Sequence, residues 1–194
     1  PLNVMILIRP SGLTEPPSKA GRRLFGNSDE LFLQSRPKRG LLTPKEVRSL
    51  ALAELSLCST STVWDVGAGS GSLAIEAARL APNGFVFAIE MDADDHQLIE
   101  ENAVRFGVNS LQAILGQAPE AWSDLPDPDS IYVGGSGRAV TALVEQAWER
   151  LKPGGRLVTS CNSIENLASV HALLRSRSDD AGYWMVNIAR GIEQ

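Results

Sequence analysis

The sequence predicts an α/β domain built on a doubly wound, mostly parallel sheet with helices on both faces. Three observations carry that reading. Apolar runs of strand length alternate with segments of helical periodicity, two of those runs end in or just before an acid, and one leads directly into a glycine-rich turn. With 194 residues, 43% of them hydrophobic, the chain can fill one α/β core and carry an appendage.

The first forty residues differ in kind. Leu2 to Ile8 has a strand pattern, after which Pro10, Gly12, Pro16, Pro17, Gly21 and Gly26 break any regular element. A small basic run, Arg36-Pro37-Lys38-Arg39, follows. Residues 1–40 therefore read as the end of a preceding domain plus a linker, and 41–194 as the main domain, with its last strand in question. Thr43-Pro44-Lys45-Glu46 has the form of a capping box with a proline start, and Val47, Leu50, Ala51 and Leu55 mark the apolar face of a helix reaching about Leu57. Beyond the strand ending near Asp65 and its crossover helix, strands are expected at 85–90, 111–115, 130–134, 156–161 and 184–189. Helices are expected near 94–106, 138–151 and 164–175.

Composition narrows the function classes. A net charge of −5 argues against non-specific nucleic-acid binding. Cys58 and Cys161 read as buried free thiols, no metal-ligand spacing occurs, and His96 and His171 fall in helices without partners. The Val4-to-Ile8 run is too short for a membrane span or a leader, so a soluble cytoplasmic protein is expected.

The chemistry begins at Val63-Trp64-Asp65-Val66-Gly67-Ala68-Gly69-Ser70-Gly71, a buried strand, a glycine turn and a helix start. Gly67, Gly69 and Gly71 are spaced G-x-G-x-G rather than the G-x-G-x-x-G of a dinucleotide site. Asp65 would repel the pyrophosphate of NAD or FAD, whereas the amino acid part of S-adenosyl-L-methionine carries an ammonium group that a carboxylate attracts. Glu90 ends the next apolar run, where a carboxylate can accept hydrogen bonds from both ribose hydroxyls. Solvated loop acids at Glu90 and Asp92 are the plainer alternative. After the following strand, a backbone amide near Ala118 and the side chain of Gln117 are placed to read adenine. Substrate-facing candidates follow the later strands: Ser136 and Arg138 in a second glycine turn, and Asn162, which equally suits a helix cap.

Four motifs in order are more specific than any one. Gly40 to Arg48, the Asp65 to Gly71 motif, Val133-Gly134-Gly135-Ser136-Gly137 and Asn187-Ile188-Ala189-Arg190-Gly191 together resemble the cobalamin-pathway precorrin methyltransferases of the CbiT type. The same unit forms the carboxyl-terminal half of bifunctional precorrin-6Y methyltransferases (decarboxylating). The resemblance runs from about Phe25 to the end. It implies the class I S-adenosylmethionine-dependent, Rossmann-like methyltransferase fold, with methylation at carbon 15 of the macrocycle and decarboxylation of the acetate on carbon 12. It also implies a preceding precorrin methyltransferase domain in the same polypeptide and a homo-oligomer, a tetramer. The family's cofactor contacts fall on Thr43, on Gly67, Ala68, Gly69, Ser70 and Gly71, on Glu90, and on the backbone of Ala118. Two departures stand out: Gln117 replaces an acid common in relatives, and the chain stops at Gln194, before the hairpin that ends the usual seven-stranded sheet.

No catalytic acid or base emerges from the residue inventory. Methyl transfer to an electron-rich macrocycle carbon depends on positioning, and the macrocycle itself can accept the electrons left by decarboxylation. A polycarboxylate substrate needs local cations, for which Arg138, Arg190, Lys45 and Arg36 or Arg39 are the candidates. Two other readings stay open: a transfer-RNA methyltransferase, which the acidic charge disfavours, and a non-catalytic corrinoid-binding domain.

Overall fold

The computed structural model describes residues 23–35, 42–134, 139–183 and 185–188. Its strands are β1 (Thr62–Val66), β2 (Phe85–Glu90), β3 (Leu111–Leu115), β4 (Ser130–Val133) and β5 (Arg156–Thr159). They form one sheet in the order β3-β2-β1-β4-β5, and every pairing is parallel. The helices are α1 (Lys45–Leu55), α2 (Ser72–Leu80), α3 (Ala93–Phe106), α4 (Val140–Arg150) and α5 (Ile164–Arg177).

Two cores follow from the alternation of side chains along the strands. Val63 on β1, Val86 and Ala88 on β2 and Tyr132 on β4 face α1, α2 and α3, where Leu52, Leu55, Leu73, Ala77 and Ile99 meet them. Trp64, Val66, Phe87, Ile89 and Ile131 face the other way and pack with Val140, Val144 and Ala147 of α4 and Val170 of α5. Central strands buried on both sides read as continuous apolar runs, as 85–89 does. The strand order reverses at β1, with β2 on one side and β4 on the other, so the carboxyl end of β1 opens into the crevice where α/β sheets bind ligands.

Four expectations need correction. Residues 185–188 form no strand; Met185, Val186 and Ile188 are exposed, and no described strand supplies a hydrogen-bonding neighbour for their alternating pattern. The capping box does not take its expected form, since α1 begins with Pro44, not Thr43, at the cap position and that residue makes no side-chain cap bond. The buried face of α1 is Arg48, Ala51, Leu52 and Leu55, with Leu50 exposed, because Arg48 turns inward to a buried partner. Cys58 lies exposed in the turn before β1, where hydrogen bonds from Ser61 and Thr60 lower its thiol to about 7. Cys161 is half-buried against the α4 and α5 core. Among the described residues no helix is long and apolar enough to cross a membrane.

The fifth and largest correction concerns the linker. Residues 24–34 form a strap that packs onto α1, α2 and α3. Glu76 and Arg48, both fully buried, lie at its centre. Arg48 Nε donates to Glu76 Oε2 at 3.0 Å, Nη1 donates to Asp29 Oδ1 and the Thr43 carbonyl, and Nη2 donates to the Asn27 carbonyl. Glu76 also accepts the Gly26 and Asn27 backbone N–H groups and the Asn27 side-chain amide. The guanidinium lies 4.7 Å from the ring centre of Phe32, which stacks on Phe106 at 4.5 Å. Of the breakers that suggest a linker only Gly26 lies in the strap, which has no regular structure beyond one 3-10 turn, Asp29–Leu31, yet backbone groups of Gly26, Asn27 and Leu33 are met by side chains from the helices.

Replacing Arg48 by Met strands the buried Glu76 carboxylate, and a loss of about 3–5 kcal/mol is expected. Urea unfolding measures it; a loss below about 1 kcal/mol would show that the strap does not depend on the pair.

Candidate functional site

The crevice is built from the carboxyl ends of β1, β2, β3 and β4. Asp65 is the penultimate residue of β1, with Ala88 of β2 and Tyr132 of β4 beside it in register. One carboxylate oxygen accepts the Ala74 N–H at 3.0 Å, so Asp65 supplies from the strand the cap that α2 lacks. Asp65 is 1% exposed, and burial, with the nearby charge of Glu90 adding to it, pushes its carboxyl from 3.8 up to about 7. A buried acid in that state is poised to accept a cation.

The turn between β1 and α2 is held from several sides. Gly67 and Ala68 both donate their N–H to the Ile89 carbonyl, at 3.0 and 3.1 Å, and Gly71 donates to Ala68 at 2.9 Å. Gly71 has φ +76°, and a Cβ there would lie 3.0 Å from two Ile99 carbons, so only glycine fits where α3 closes on the turn. Ser70 is buried, and its hydroxyl has no hydrogen-bond partner among the described residues.

Glu90 is no solvated loop acid. Its Oε2 accepts the Gly69 N–H at 2.8 Å, and its Oε1 accepts the N–H groups of Met91 at 2.8 Å and Asp92 at 2.9 Å. The carboxylate is thereby oriented across the crevice and tied to the glycine turn. Asp92 caps α3, accepting from Asp94 and Asp95.

Other expected residues fall less evenly. Thr43 meets the site through Tyr132, whose hydroxyl also pairs with Ser160 Oγ at 2.8 Å; burial raises the phenol above its ordinary value. Ala118 is half-buried at the end of β3, whereas Gln117 is exposed, its backbone carbonyl accepting from Ala121. Asn162 is exposed and does not cap α5, a task performed by Ser163, which accepts the Asn166 N–H. Lys45 lies 3.8 Å from Glu46. Ser136, Arg138, Arg190, Arg36 and Arg39 lie outside the described residues.

Three contributors escape the motif reading. Tyr132 sits inside an apolar strand, and only its hydroxyl hints at more. Met91 is 71% exposed directly after Glu90, and Leu115, the register partner of Glu90, is 54% exposed. Together they set apolar side chains beside the acid, and the signal is an apolar residue at a strand end, as Leu115, or just past one, as Met91.

Comparison with known proteins now bears on the site. Residues 37–188 match the family model of the precorrin methyltransferase domain. This chain belongs to the precorrin methyltransferase family. It is 42% identical over 146 residues to the cobalt-precorrin-6B C(15)-methyltransferase (decarboxylating) of Salmonella typhimurium, covering 75% of this chain and 74% of that one. It is 39% identical over 135 residues to the precorrin-6Y C(5,15)-methyltransferase [decarboxylating] of Sinorhizobium sp, covering 70% of this chain but only 32% of that longer protein. Among solved structures, the precorrin 8W decarboxylase of Methanobacterium thermoautotrophicum matches with a TM-score of 0.78 at 30% identity, covering 86% of this chain and 88% of the other. The Rossmann-like methyltransferase fold expected of this precorrin methyltransferase domain is thereby established, and methyltransferase relatives imply the use of S-adenosylmethionine.

The state of Asp65 has a sign that can be checked. Its folded-state carboxyl ionises near 7 and its unfolded one near 3.8, so its contribution to stability is full below about 4 and is lost as pH rises through about 7. Asp65→Asn is expected to remove that slope from ligand-free urea titrations between pH 4.5 and 7.5. Equal slopes in the two proteins would refute the assignment.

Proposed function

We infer that this domain transfers a methyl group from S-adenosylmethionine to carbon 15 of a precorrin and promotes loss of carbon dioxide from the acetate on carbon 12. The observation that carries the reading is the pair of acids, Asp65 and Glu90, at the ends of adjacent strands with a glycine turn bonded between them, in a chain that matches the family over 37–188. The named activities of the Salmonella and Sinorhizobium relatives support methylation at carbon 15 and a decarboxylation.

The residues present fit the methyl donor. Asp65 receives the ammonium group, the amides of the turn and the unpartnered Ser70 hydroxyl receive the carboxylate, and Glu90 receives the ribose hydroxyls. Met91, Leu115 and the Ala118 backbone offer an apolar slot with a polar edge for adenine, and exposed Gln117 is the weaker reader. S-adenosylmethionine supplies an electrophilic methyl group, and the chain's task is to hold the two reactants in line. Thr43, Tyr132 and Ser160 form a hydroxyl cluster on the acceptor side, where they can orient the macrocycle. Arg138 and Arg190, with Ser136 and Asn162, remain the candidates for its carboxylates. A preceding methyltransferase domain in the same polypeptide and assembly into a homo-oligomer belong to the same reading.

Incubation with a precorrin substrate and labelled donor, with methyl incorporation and carbon dioxide release followed separately, tests the function; absence of both overturns it. Glu90→Ala is expected to weaken binding of S-adenosylhomocysteine by about 1.5–3 kcal/mol, the range for hydrogen bonds to a charged group. An unchanged dissociation constant would refute the ribose assignment. Because a cation favours the ionised acid, binding below pH 7 should release protons from Asp65. Calorimetry in buffers of differing ionisation enthalpy reads that release, which Asp65→Asn should abolish.

A further inference from the structure

Asn102 on α3 is fully buried and touches two parts of the molecule that no motif connects. Its Oδ1 accepts the Leu33 N–H at 2.7 Å and its Nδ2 donates to the Leu33 carbonyl at 3.0 Å, so it pairs with the strap as a neighbouring strand would. The same Nδ2 donates to the Ser70 carbonyl at 3.0 Å, inside the glycine turn. An amide nitrogen has two N–H groups, and here each is committed to a different carbonyl. Displacing either carbonyl leaves a buried donor unsatisfied, which the surrounding core gives no water to relieve. From the same helix Ile99 presses on Gly71, so the side chains of α3 clamp the turn at two successive residues.

We propose that Asn102 is a positioning residue that makes the strap part of the cofactor site, so that strap docking and cofactor binding favour each other through Leu33, Asn102 and Ser70. The proposal rests on the reading that the turn from Gly67 to Gly71 holds S-adenosylmethionine. Coupling of this kind is reciprocal: bound cofactor steadies the strap, and a docked strap holds the Ser70 carbonyl where the turn needs it. The far end of the strap gives an independent handle. Asn27 holds the far end of the strap to Glu76 of α2 and, among the described residues, has no bond to the turn itself, so a change there loosens the strap without touching Asn102 or Ser70.

Hydrogen exchange of peptides spanning residues 27–35 is to be followed in the full chain with and without saturating S-adenosylhomocysteine, alongside calorimetric affinities for the wild type, Asn102→Ala and Asn27→Ala. The ligand should slow strap exchange in the wild type at least about fivefold, the low end of typical coupling. Asn102→Ala should bind at least about fivefold more weakly and lose the ligand response of its strap, which a merely structural role would leave in place. Asn27→Ala should weaken binding in the same direction. Strap exchange indifferent to ligand in a wild type that binds normally overturns the coupling alone. Unchanged affinity in folded Asn102→Ala overturns it as well. A wild type that binds no S-adenosylhomocysteine at millimolar concentration removes the cofactor reading itself. Should Asn102→Ala fail to fold, the wild-type exchange decides.

Discussion

The site depends on a charge pair buried where no solvent reaches it. Burying Arg48 and Glu76 is costly, and an ion pair of this kind need not be more stable than an apolar one of the same shape. What it does is fix geometry. Glu76 is saturated by donors from α1 and the strap, and Arg48 by acceptors from the strap, from α2 and from the Thr43 carbonyl. One pair therefore sets α1, α2 and the strap relative to one another. Because α2 starts at the glycine turn, and because holding the Thr43 carbonyl also places the Thr43 hydroxyl near Tyr132, both walls of the crevice inherit their positions from it.

Within the crevice, two carboxylates of the same chemical type are given different properties by their surroundings. Asp65 has a single backbone N–H and is buried away from solvent, so its charge is disfavoured until a cation arrives. Glu90 has three backbone N–H groups, which orient the carboxylate as an acceptor in the ligand-free protein. The division suits a donor with a cationic end and a neutral diol: the first needs a charge that can be switched on, the second needs only fixed lone pairs.

How much of this could be read beforehand depended on the range of the forces involved. The alternation of strands and helices, the glycine turn and Glu90 are local patterns, and the structure places them within a few residues of expectation, as 93–106 for α3 and 111–115 for β3 illustrate. Thr43 looked like a helix cap because Thr-Pro-Lys-Glu satisfies the local rule, but the structure leaves that cap unmade and holds the Thr43 carbonyl with Arg48 instead. Arg48 itself reads as a solvated charge on an amphipathic helix. Nothing near it in sequence announces Glu76, twenty-eight residues away, as its partner. The strap escapes the sequence for the same reason: its lack of a periodic apolar pattern says that it forms no helix or strand, which is a separate matter from whether the core binds it. Asn102 carries no motif at all, since an asparagine in a helix is usually unremarkable.

The strap also has a history in time. Its bonds to Glu76 and Asn102 span 49 and 69 residues of sequence, so they close large loops before any local contact rewards them. A ribosome releases these residues before α2 and α3, so they have nothing to dock on until those helices have been made and packed. A segment synthesised ahead of the helices that hold it is thus among the last to find its place, and the crevice is finished by residues that waited for it.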